Sequence, residues 1–463
     1  MLAAMSSVPP PTSSQATPAV RDRGDACPGT LRLHDAADGA LARVRVPGGV
    51  LTVRQARALV DAAGRWGDGE LHLTSRGNVQ LRGLRDACGA DLAGLLDAAR
   101  LLPSRSHERV RNVVASPLSG LDGRGAVDVR PWLVALDAAL CASGAARELS
   151  GRFLFALDDG RGDVAALDAD ITVRAVPDGG ALVRVGPAPD ALAVAADDAP
   201  AAALLAAEAF TDVVRRSGER VWRIGELGAR GGELGRLVRE RFAASGIGAD
   251  PVGLGADPVA LGPDPVALPS DPADPASRTE GPAPGVLGRA LSVHAPLGRL
   301  TAPQWRALAD VAAGFPDGEL RLTPWRGVVV PLPRGLAPDR AAAALDRLAA
   351  TGLVTDPASP WPRVGACTGR PGCAKSRADV RADAARTLPA AGRSRLPLYW
   401  SGCERRCGRP RGAHVDVLAA PDGGYRLTGP DPGRTGSVPR TADLPGTDPD
   451  PARLAAALAA ISP

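Results

Sequence analysis

The sequence predicts an α+β fold assembled by internal duplication. Residues 297–330 repeat residues 48–81 at a fixed offset of 249. Inside each copy the apolar spacing changes from alternation to helical and back, which reads as β-α-β-β. Each copy also opens its helix with the same Thr-x-x-Gln capping pattern, Thr52 to Gln55 and Thr301 to Gln304. A repeat this long marks a duplicated structural unit.

Taken in order, residues 1–24 are Ser, Pro and Ala-rich, without the basic start and apolar core of a secretion signal, and read as a disordered tail. The first copy fills residues 25–102. Leu41 to Val46 alternates as a strand. The helix after Thr52 puts Ala56, Leu59, Val60 and Ala63 on one face, and strands follow at Glu70–Thr74 and Val79–Leu84. An α/β block, 103–248, carries an Ala-rich helix near 131–146. Strands follow at Phe153–Leu157, Ile171–Ala175 and Ala181–Val185, and then a helix near 200–215. Asp-Pro recurs at 250, 257, 264 and 271, so 249–286 reads as an extended, mobile linker.

The second copy is 287–360. Leu51, Arg57, Leu59 and Asp61 return as Leu300, Arg306, Leu308 and Asp310. One extra residue, Pro324, then shifts the register, so Arg76-Gly77 matches Arg326-Gly327. The last block, 361–463, reads as a helix at Ala374–Thr387 and strands at Leu396–Trp400, His414–Leu418 and Tyr425–Leu427.

Composition narrows the function. A chain of 463 residues has ample core for two to four domains, and it has no apolar run long enough to span a membrane. A net charge of +4 is too small to argue for nucleic acid. Seven cysteines, an odd number, fit a reducing cytoplasm. The basic residues are arginines, with Lys375 the single lysine.

Four cysteines fall in two short loops, Cys367-Thr-Gly-Arg-Pro-Gly-Cys373 and Cys403-Glu-Arg-Arg-Cys407. Paired thiolate loops rich in Gly and Pro hold a metal or an iron–sulfur cluster. Zinc pairs are usually spaced two to four residues apart, and Cys-x5-Cys is wide for that. Cys88 and Cys141 sit in Ala-rich helical stretches and read as small buried residues; Cys27 has no assigned role.

Cys-x5-Cys followed at a distance by Cys-x3-Cys resembles the cluster signature of the sulfite and nitrite reductase superfamily. The resemblance implies a duplicated reductase-like architecture, two ferredoxin-like half-domains each followed by an α/β domain, with a tetrapyrrole between the halves. It implies a [4Fe–4S] cluster on Cys367, Cys373, Cys403 and Cys407. The stretch Leu73-Thr-Ser-Arg-Gly-Asn-Val-Gln-Leu-Arg-Gly-Leu84 resembles the family's Thr-x-Arg-x-x-x-Gln motif, and Arg109 to Gly120 its Arg-Asn-Val…Pro-Leu segment. Arg76, Gln80, Arg111, Asn112 and Arg326 are thereby expected to contact the tetrapyrrole. Arginine suits that task because it grips carboxylates through two parallel hydrogen bonds.

Two branches of the superfamily compete. Sulfite reductases present two lysines from a Lys-x-Lys strand. The matching stretch here, Gly151-Arg-Phe-Leu-Phe155, has Arg152 and Leu154 in their places. Arginine is a poor proton donor. Cys27-Pro-Gly-Thr-Leu-Arg32 and the run 41–49 are more similar to the precorrin-3B synthase branch of aerobic cobalamin biosynthesis. That resemblance implies dioxygen-dependent hydroxylation of precorrin-3A at the meso carbon between rings A and D, with lactone closure by the ring A acetate. It also implies an external donor, such as ferredoxin or an NADH-linked reductase, since no Gly-rich nucleotide loop follows a strand. The alternatives are a nitrite or sulfite reductase carrying sirohaem, and a non-catalytic iron–sulfur or zinc protein. The synthase resemblance further implies a second, non-haem iron. A facial site would take two histidines and a carboxylate. Of the five histidines, 34, 72, 107, 294 and 414, His72 and His107 lie nearest the tetrapyrrole motifs, and neither is assigned.

Overall fold

The computed structural model describes residues 25–461 except 26, 86–87, 254–280, 411–412, 430–439 and 447–448. The expected tail at 1–24 and most of the expected linker lie outside the described residues. The first copy comprises β1 (His34–Ala36), β2 (Gly39–Val44), β3 (Val50–Thr52), α1 (Val53–Trp66), β4 (Glu70–Leu73), β5 (Val79–Leu84) and α2 (Gly89–Ala98). Both capping boxes form: Gln55 N donates to Thr52 Oγ1 at 3.3 Å while Gln55 Oε1 accepts from Thr52 N at 3.0 Å, and Thr301 and Gln304 do the same.

The first α/β domain follows, with β6 (Val113–Ala115), α3 (Arg130–Ala142), β7 (Phe155–Asp158), β8 (Ile171–Ala175), β9 (Gly180–Val185), β10 (Asp190–Ala195), α4 (Ala199–Ser217), α5 (Gly231–Ala244) and β11 (Asp250–Gly253). Its sheet runs β11-β10-β9-β8-β7-β6, parallel from β6 to β8 and antiparallel beyond. Asp250-Pro251 therefore lies in an edge strand, where a proline with no N–H is tolerated, rather than in a linker. At the other end of the expected linker, Gly285–Val286 is also a strand.

The second copy comprises β12 (Gly285–Val286), β13 (Ala290–His294), β14 (Arg299–Thr301), α6 (Ala302–Ala313), β15 (Glu319–Leu322), β16 (Gly327–Pro331) and α7 (Pro338–Ala349). The final domain holds β17 (Val364–Ala366), α8 (Val380–Arg386), α9 (Leu388–Ala391), β18 (Leu398–Ser401), β19 (Val415–Ala419), β20 (Tyr425–Gly429), β21 (Arg440–Leu444) and α10 (Pro451–Ile461). It repeats the strand plan of the first α/β domain: β17, β18 and β19 are parallel, and β20 and β21 turn antiparallel.

The two copies exchange strands. β3 of the first pairs with β15 of the second, and β14 of the second pairs with β4 of the first, both antiparallel. The sheets run β1-β2-β5-β4-β14 and β12-β13-β16-β15-β3, so neither is complete without the other copy. The turns feeding the exchanged strands need glycine: Gly49 has φ +72°, and a Cβ there would lie 1.9 Å from Leu322 O. One hydrophobic core then spans both copies, with Leu51, Leu59 and Leu71 packed alongside Leu300, Trp305 and Leu320. Trp305, with no exposed surface, donates from Nε1 to Ala56 O at 2.7 Å, tying α6 to α1. Among the described residues no helix is long and apolar enough to cross a membrane.

The loop after β7 buries carboxylates. Asp158 accepts the N–H groups of Gly160, Gly162 and Ala165 at 2.9, 2.8 and 2.9 Å, and Arg161 bridges Asp159 and Asp122 at 2.7 and 2.9 Å. Asp163 accepts from Ser116 Oγ at 2.6 Å. Burial, then the charge of Asp158, push its carboxyl up to about 7.

Two outcomes are expected. Trp305→Ala should cost about 3–5 kcal/mol by opening a cavity in a shared core. Hydrogen exchange should speed up in α1 as much as in α6; loss of protection in α6 alone would mean the copies are separate cores. Asp163 is neutral more readily when folded than when unfolded, so its contribution is fully present below about pH 4 and lost as the pH rises through about 7. Asp163→Asn keeps an acceptor for Ser116, so its melting temperature should match the wild type near pH 4 and exceed it by a few degrees at pH 8.

Candidate iron–sulfur and tetrapyrrole site

The two cysteine loops leave the same end of neighbouring parallel strands, Cys367 after β17 and Cys403 after β18. All seven cysteines are free thiols. Gly402 N donates to Cys367 Sγ at 3.3 Å, and Cys367 N donates to Trp400 O at 2.9 Å. Burial pushes the Cys367 thiol up, and the Gly402 and Gly369 N–H groups pull it back. N–H groups aimed at sulfur are what a cluster-bound thiolate accepts. Among the described residues no three cysteine sulfurs lie within 4.8 Å of one another. A tetrahedral zinc site would draw them to roughly 3.8 Å, as Zn–S bonds of about 2.3 Å require. The chemistry of the donor set, four thiols with backbone N–H groups aimed at Cys367 Sγ, fits an iron–sulfur cluster.

The expected helix at 374–387 is shorter than its sequence suggests. Ala374–Asp379 is irregular, because Ser376 N closes on Cys373 O and Arg370 N on Ala378 O, both at 3.0 Å, while Arg377 N donates to Gly402 O at 2.9 Å and packs the two loops together. The helix starts at Val380, where Asp379 caps Ala382 N at 3.1 Å.

The first half-domain braces this loop through two arginines. Arg82 on β5 pairs with both oxygens of Asp38 at 2.9 Å and donates to Gly372 O at 2.9 Å. Arg381 on α8 donates to Cys367 O at 3.2 Å and meets His72 Nδ1 at 3.4 Å. His72 Nε2 lies 3.3 Å from Asp68 and 3.9 Å from Glu70. These three donors lie within 4.8 Å of one another, but Arg299 already grips Glu70 at 2.6 Å, and Arg381 stands at the ring. The positions a cation would favour are thus faced by guanidinium groups. His107, the other histidine near the motifs, uses both nitrogens, on Ser104 Oγ at 2.7 Å and Ser143 O at 2.8 Å.

Farther along the same face of that sheet, where Arg43, Gln80 and His72 lie in register, arginines gather. Arg76 sits in the turn between β4 and β5 rather than on a strand, so strand alternation does not set its direction. Thr74 Oγ1 holds that turn through Arg76 N and Asn78 N at 3.3 and 3.1 Å. Its Nη1 reaches Gly151 O at 3.4 Å. Gln80 lies across β2 from Arg43. In the amide orientation that satisfies both, its oxygen accepts from Arg43 Nη2 at 2.6 Å. Arg45 bonds Arg109 O and Gly151 O, both at 3.1 Å, while its Nη1 is buried without a partner. Burial, followed by neighbouring arginines, lowers Arg45 to about 9 and Arg76 to about 10. Guanidinium groups so depressed are stabilised by an anionic ligand. An N-terminal strap closes over them: Asp25 accepts from Ser150 Oγ and Gly151 N at 2.8 Å, Thr30 Oγ1 bonds Glu108 at 2.6 Å, and Cys27 rests on Gly151.

The other expected contacts separate from this face. Arg111 is spread over Asp137, at 2.7 Å from two nitrogens, and Leu101 O. Asn112, fully buried, accepts from Asn78 Nδ2 at 3.0 Å and donates to Phe153 O at 2.9 Å. It thus ties the Arg76 turn to the segment before β7 that carries Arg152 and Leu154. Arg326 lies over the Tyr399 ring, 6.0 Å to its centroid, and Tyr399 donates to Cys407 O at 2.6 Å. Arg152 stacks on Trp222 at 4.5 Å. Leu154 is buried in an apolar cluster with Val114, Ala156, Val164 and Ala169, against which Trp325 packs. Arg43 and Arg45 were readable in the sequence as an Arg-Val-Arg strand but not as site residues; Arg82 and Arg381 carried no signal there.

Removing Arg82 strands the buried part of its pair with Asp38. Arg82→Ala should cost roughly 3 kcal/mol and speed hydrogen exchange from Gly369 to Cys373. Unchanged exchange in that loop would mean the brace has no hold on it.

The comparisons with known proteins agree with this architecture. The nitrite/sulfite reductase ferredoxin-like half domain matches twice, at residues 34–99 and 284–351. A precorrin-3B synthase of Sinorhizobium sp is 27% identical over 428 residues, covering 89% of this chain and 84% of that protein. A ferredoxin–nitrite reductase of Synechococcus elongatus is 28% identical over 421 residues, covering 82% and 76%. The solved structure of Mycobacterium tuberculosis NirA protein superposes with a TM-score of 0.62 at 20% identity, over 90% of this chain and 79% of that one. The chain thus carries two nitrite/sulfite reductase ferredoxin-like half domains and shares the fold of that solved structure along most of its length.

Proposed function

We propose that the chain is an oxidoreductase of the precorrin-3B synthase type, which binds precorrin-3A between its half-domains and incorporates oxygen from dioxygen. Identity to a precorrin-3B synthase and to a nitrite reductase is nearly equal, so similarity does not choose between them. The observation that carries the choice is Leu154. Where the sulfite reductase pattern calls for a lysine to meet an oxyanion, this chain has a buried leucine in an apolar cluster closed by Trp325. Sulfite would lose its hydration there without gaining a proton donor, which weighs less against a nitrite reductase.

The arginine face supports a larger ligand with a rim of carboxylates. Arg45 Nη1 has no partner within the protein, and Arg43, Arg45 and Arg76 are each lowered by burial. Each charge-assisted contact to a carboxylate is worth about 1.5–3 kcal/mol. Arg43, Arg45 and Arg76 would fix the rim, Asn112 would hold the Arg76 turn in register with β7, and Leu154 with Trp325 would keep water away. Cys367, Cys373, Cys403 and Cys407 would hold a [4Fe–4S] cluster, which supplies one-electron transfer when bound. An external donor, ferredoxin or an NADH-linked reductase, would supply the electrons.

The second reading, a sirohaem-dependent nitrite reductase, rests on the 28% identity to the cyanobacterial enzyme. The test is to incubate protein, reductant and precorrin-3A under labelled dioxygen and weigh the product. The synthase reading expects one labelled oxygen atom in the product. It also expects Arg76→Ala to bind precorrin-3A roughly ten- to a hundredfold more weakly with the cluster absorbance intact. A product without label, or one formed equally without air, overturns it. Nitrite reduction by the same preparation would favour the second reading.

A further inference from the structure

The duplication pairs residues that the sequence motifs do not. Arg45 and His294 stand 249 residues apart, the offset of the repeat. Each ends or follows the second strand of its copy and precedes a Pro-x-Gly turn, Pro47–Gly49 or Pro296–Gly298. Both are buried, and both leave one side-chain nitrogen without a partner: Arg45 Nη1 and His294 Nε2. Burying such a nitrogen without a partner is costly, so one at equivalent positions in both copies calls for an explanation.

The surroundings of His294 show what its free nitrogen can accept. The other ring nitrogen bonds the Trp325 backbone carbonyl, which fixes the tautomer and leaves Nε2 as a bare lone pair. Burial and then the charge of Arg326 hold the imidazole down at about 4, so it is neutral at ordinary pH. Trp325 packs on the Leu154 cluster of the first α/β domain, and Arg326 lies over Tyr399 of the cysteine domain. His294 therefore stands behind the turn where three domains meet. A neutral lone pair cannot take a carboxylate, and the adjacent guanidinium disfavours a metal ion. It can take the hydrogen of an N–H or O–H donor.

Resting on the tetrapyrrole reading, we infer that His294 is a substrate-binding residue whose Nε2 accepts a hydrogen bond from a pyrrole N–H of the bound macrocycle, beside a carboxylate held by Arg326. The cleft would thus be bipartite, with an anion contact at Arg45 and an N–H contact at its duplicate position.

The test uses the full chain with its cluster and free-base uroporphyrin III, which offers both carboxylates and pyrrole N–H groups. With histidine nitrogens labelled, the Nε2 resonance of His294, assigned by its loss in His294→Gln, should move on addition of uroporphyrin III and stay still with benzenehexacarboxylate. His294→Leu should weaken uroporphyrin III binding about tenfold, one hydrogen bond's worth, and His294→Gln, which keeps an acceptor, should recover most of it. If uroporphyrin III binds the wild type while the resonance stays still, the inference is overturned, even should His294→Leu fail to fold. If it binds but His294→Leu matches the wild type, the inference fails alone and the tetrapyrrole reading stands. No binding of uroporphyrin III by the wild type would remove both.

Discussion

The reciprocal exchange of β3 and β14 is the constraint on which the rest depends. Each is three residues long and could not hold a sheet edge alone. Placed in the other copy's sheet, each joins a five-stranded sheet over a common core. The exchange pins the glycine turns ahead of β3 and β14 against the strands that carry Leu322 and Leu73. Those strands lead directly into the turns bearing Arg326 and Arg76. The two arginines are thus held at a fixed separation by backbone pairing, which suits a rigid macrocycle with carboxylates around its rim.

Electrostatics then divides the labour along one face of the first half-domain's sheet. In one part, Arg82 bonds the Cys367–Cys373 loop directly, and His72 on β4 reaches it through Arg381. Arg82 acts on a backbone carbonyl and on Asp38, while Arg381, lowered to about 10 by burial and then by neighbouring arginines, acts on Cys367 O. In the other, Arg43, Arg45 and Arg76 crowd together with few carboxylates, each lowered by burial. The first arrangement builds a scaffold. The second gains its missing interactions from an anionic ligand.

Much of this was legible in the sequence, for physical reasons. The duplication, both capping boxes and the cysteine spacing are local patterns, and local patterns survive in one dimension. The strand exchange did not show, because β3 and β14 are too short for periodicity and their partners lie in the other copy. Arg111 matched its motif, yet its guanidinium is engaged by Asp137, 26 residues on along α3. The segment 374–379 has a helix-forming composition, but turns that pack the two cysteine loops override that propensity. Asp250–Gly253 read as linker because Asp-Pro resembles the repeats after it; pairing with β10 makes it an edge strand.

The central claim is that the four cysteines of the last domain hold a [4Fe–4S] cluster beside a cleft that takes its tetrapyrrole as substrate. Purification without air, followed by analysis of iron, acid-labile sulfide, zinc and extractable tetrapyrrole, tests it most directly. The account predicts about four iron and four sulfide per chain, as one cluster requires, with neither zinc nor sirohaem in stoichiometric amount. One zinc per chain, or one sirohaem per chain, would contradict it.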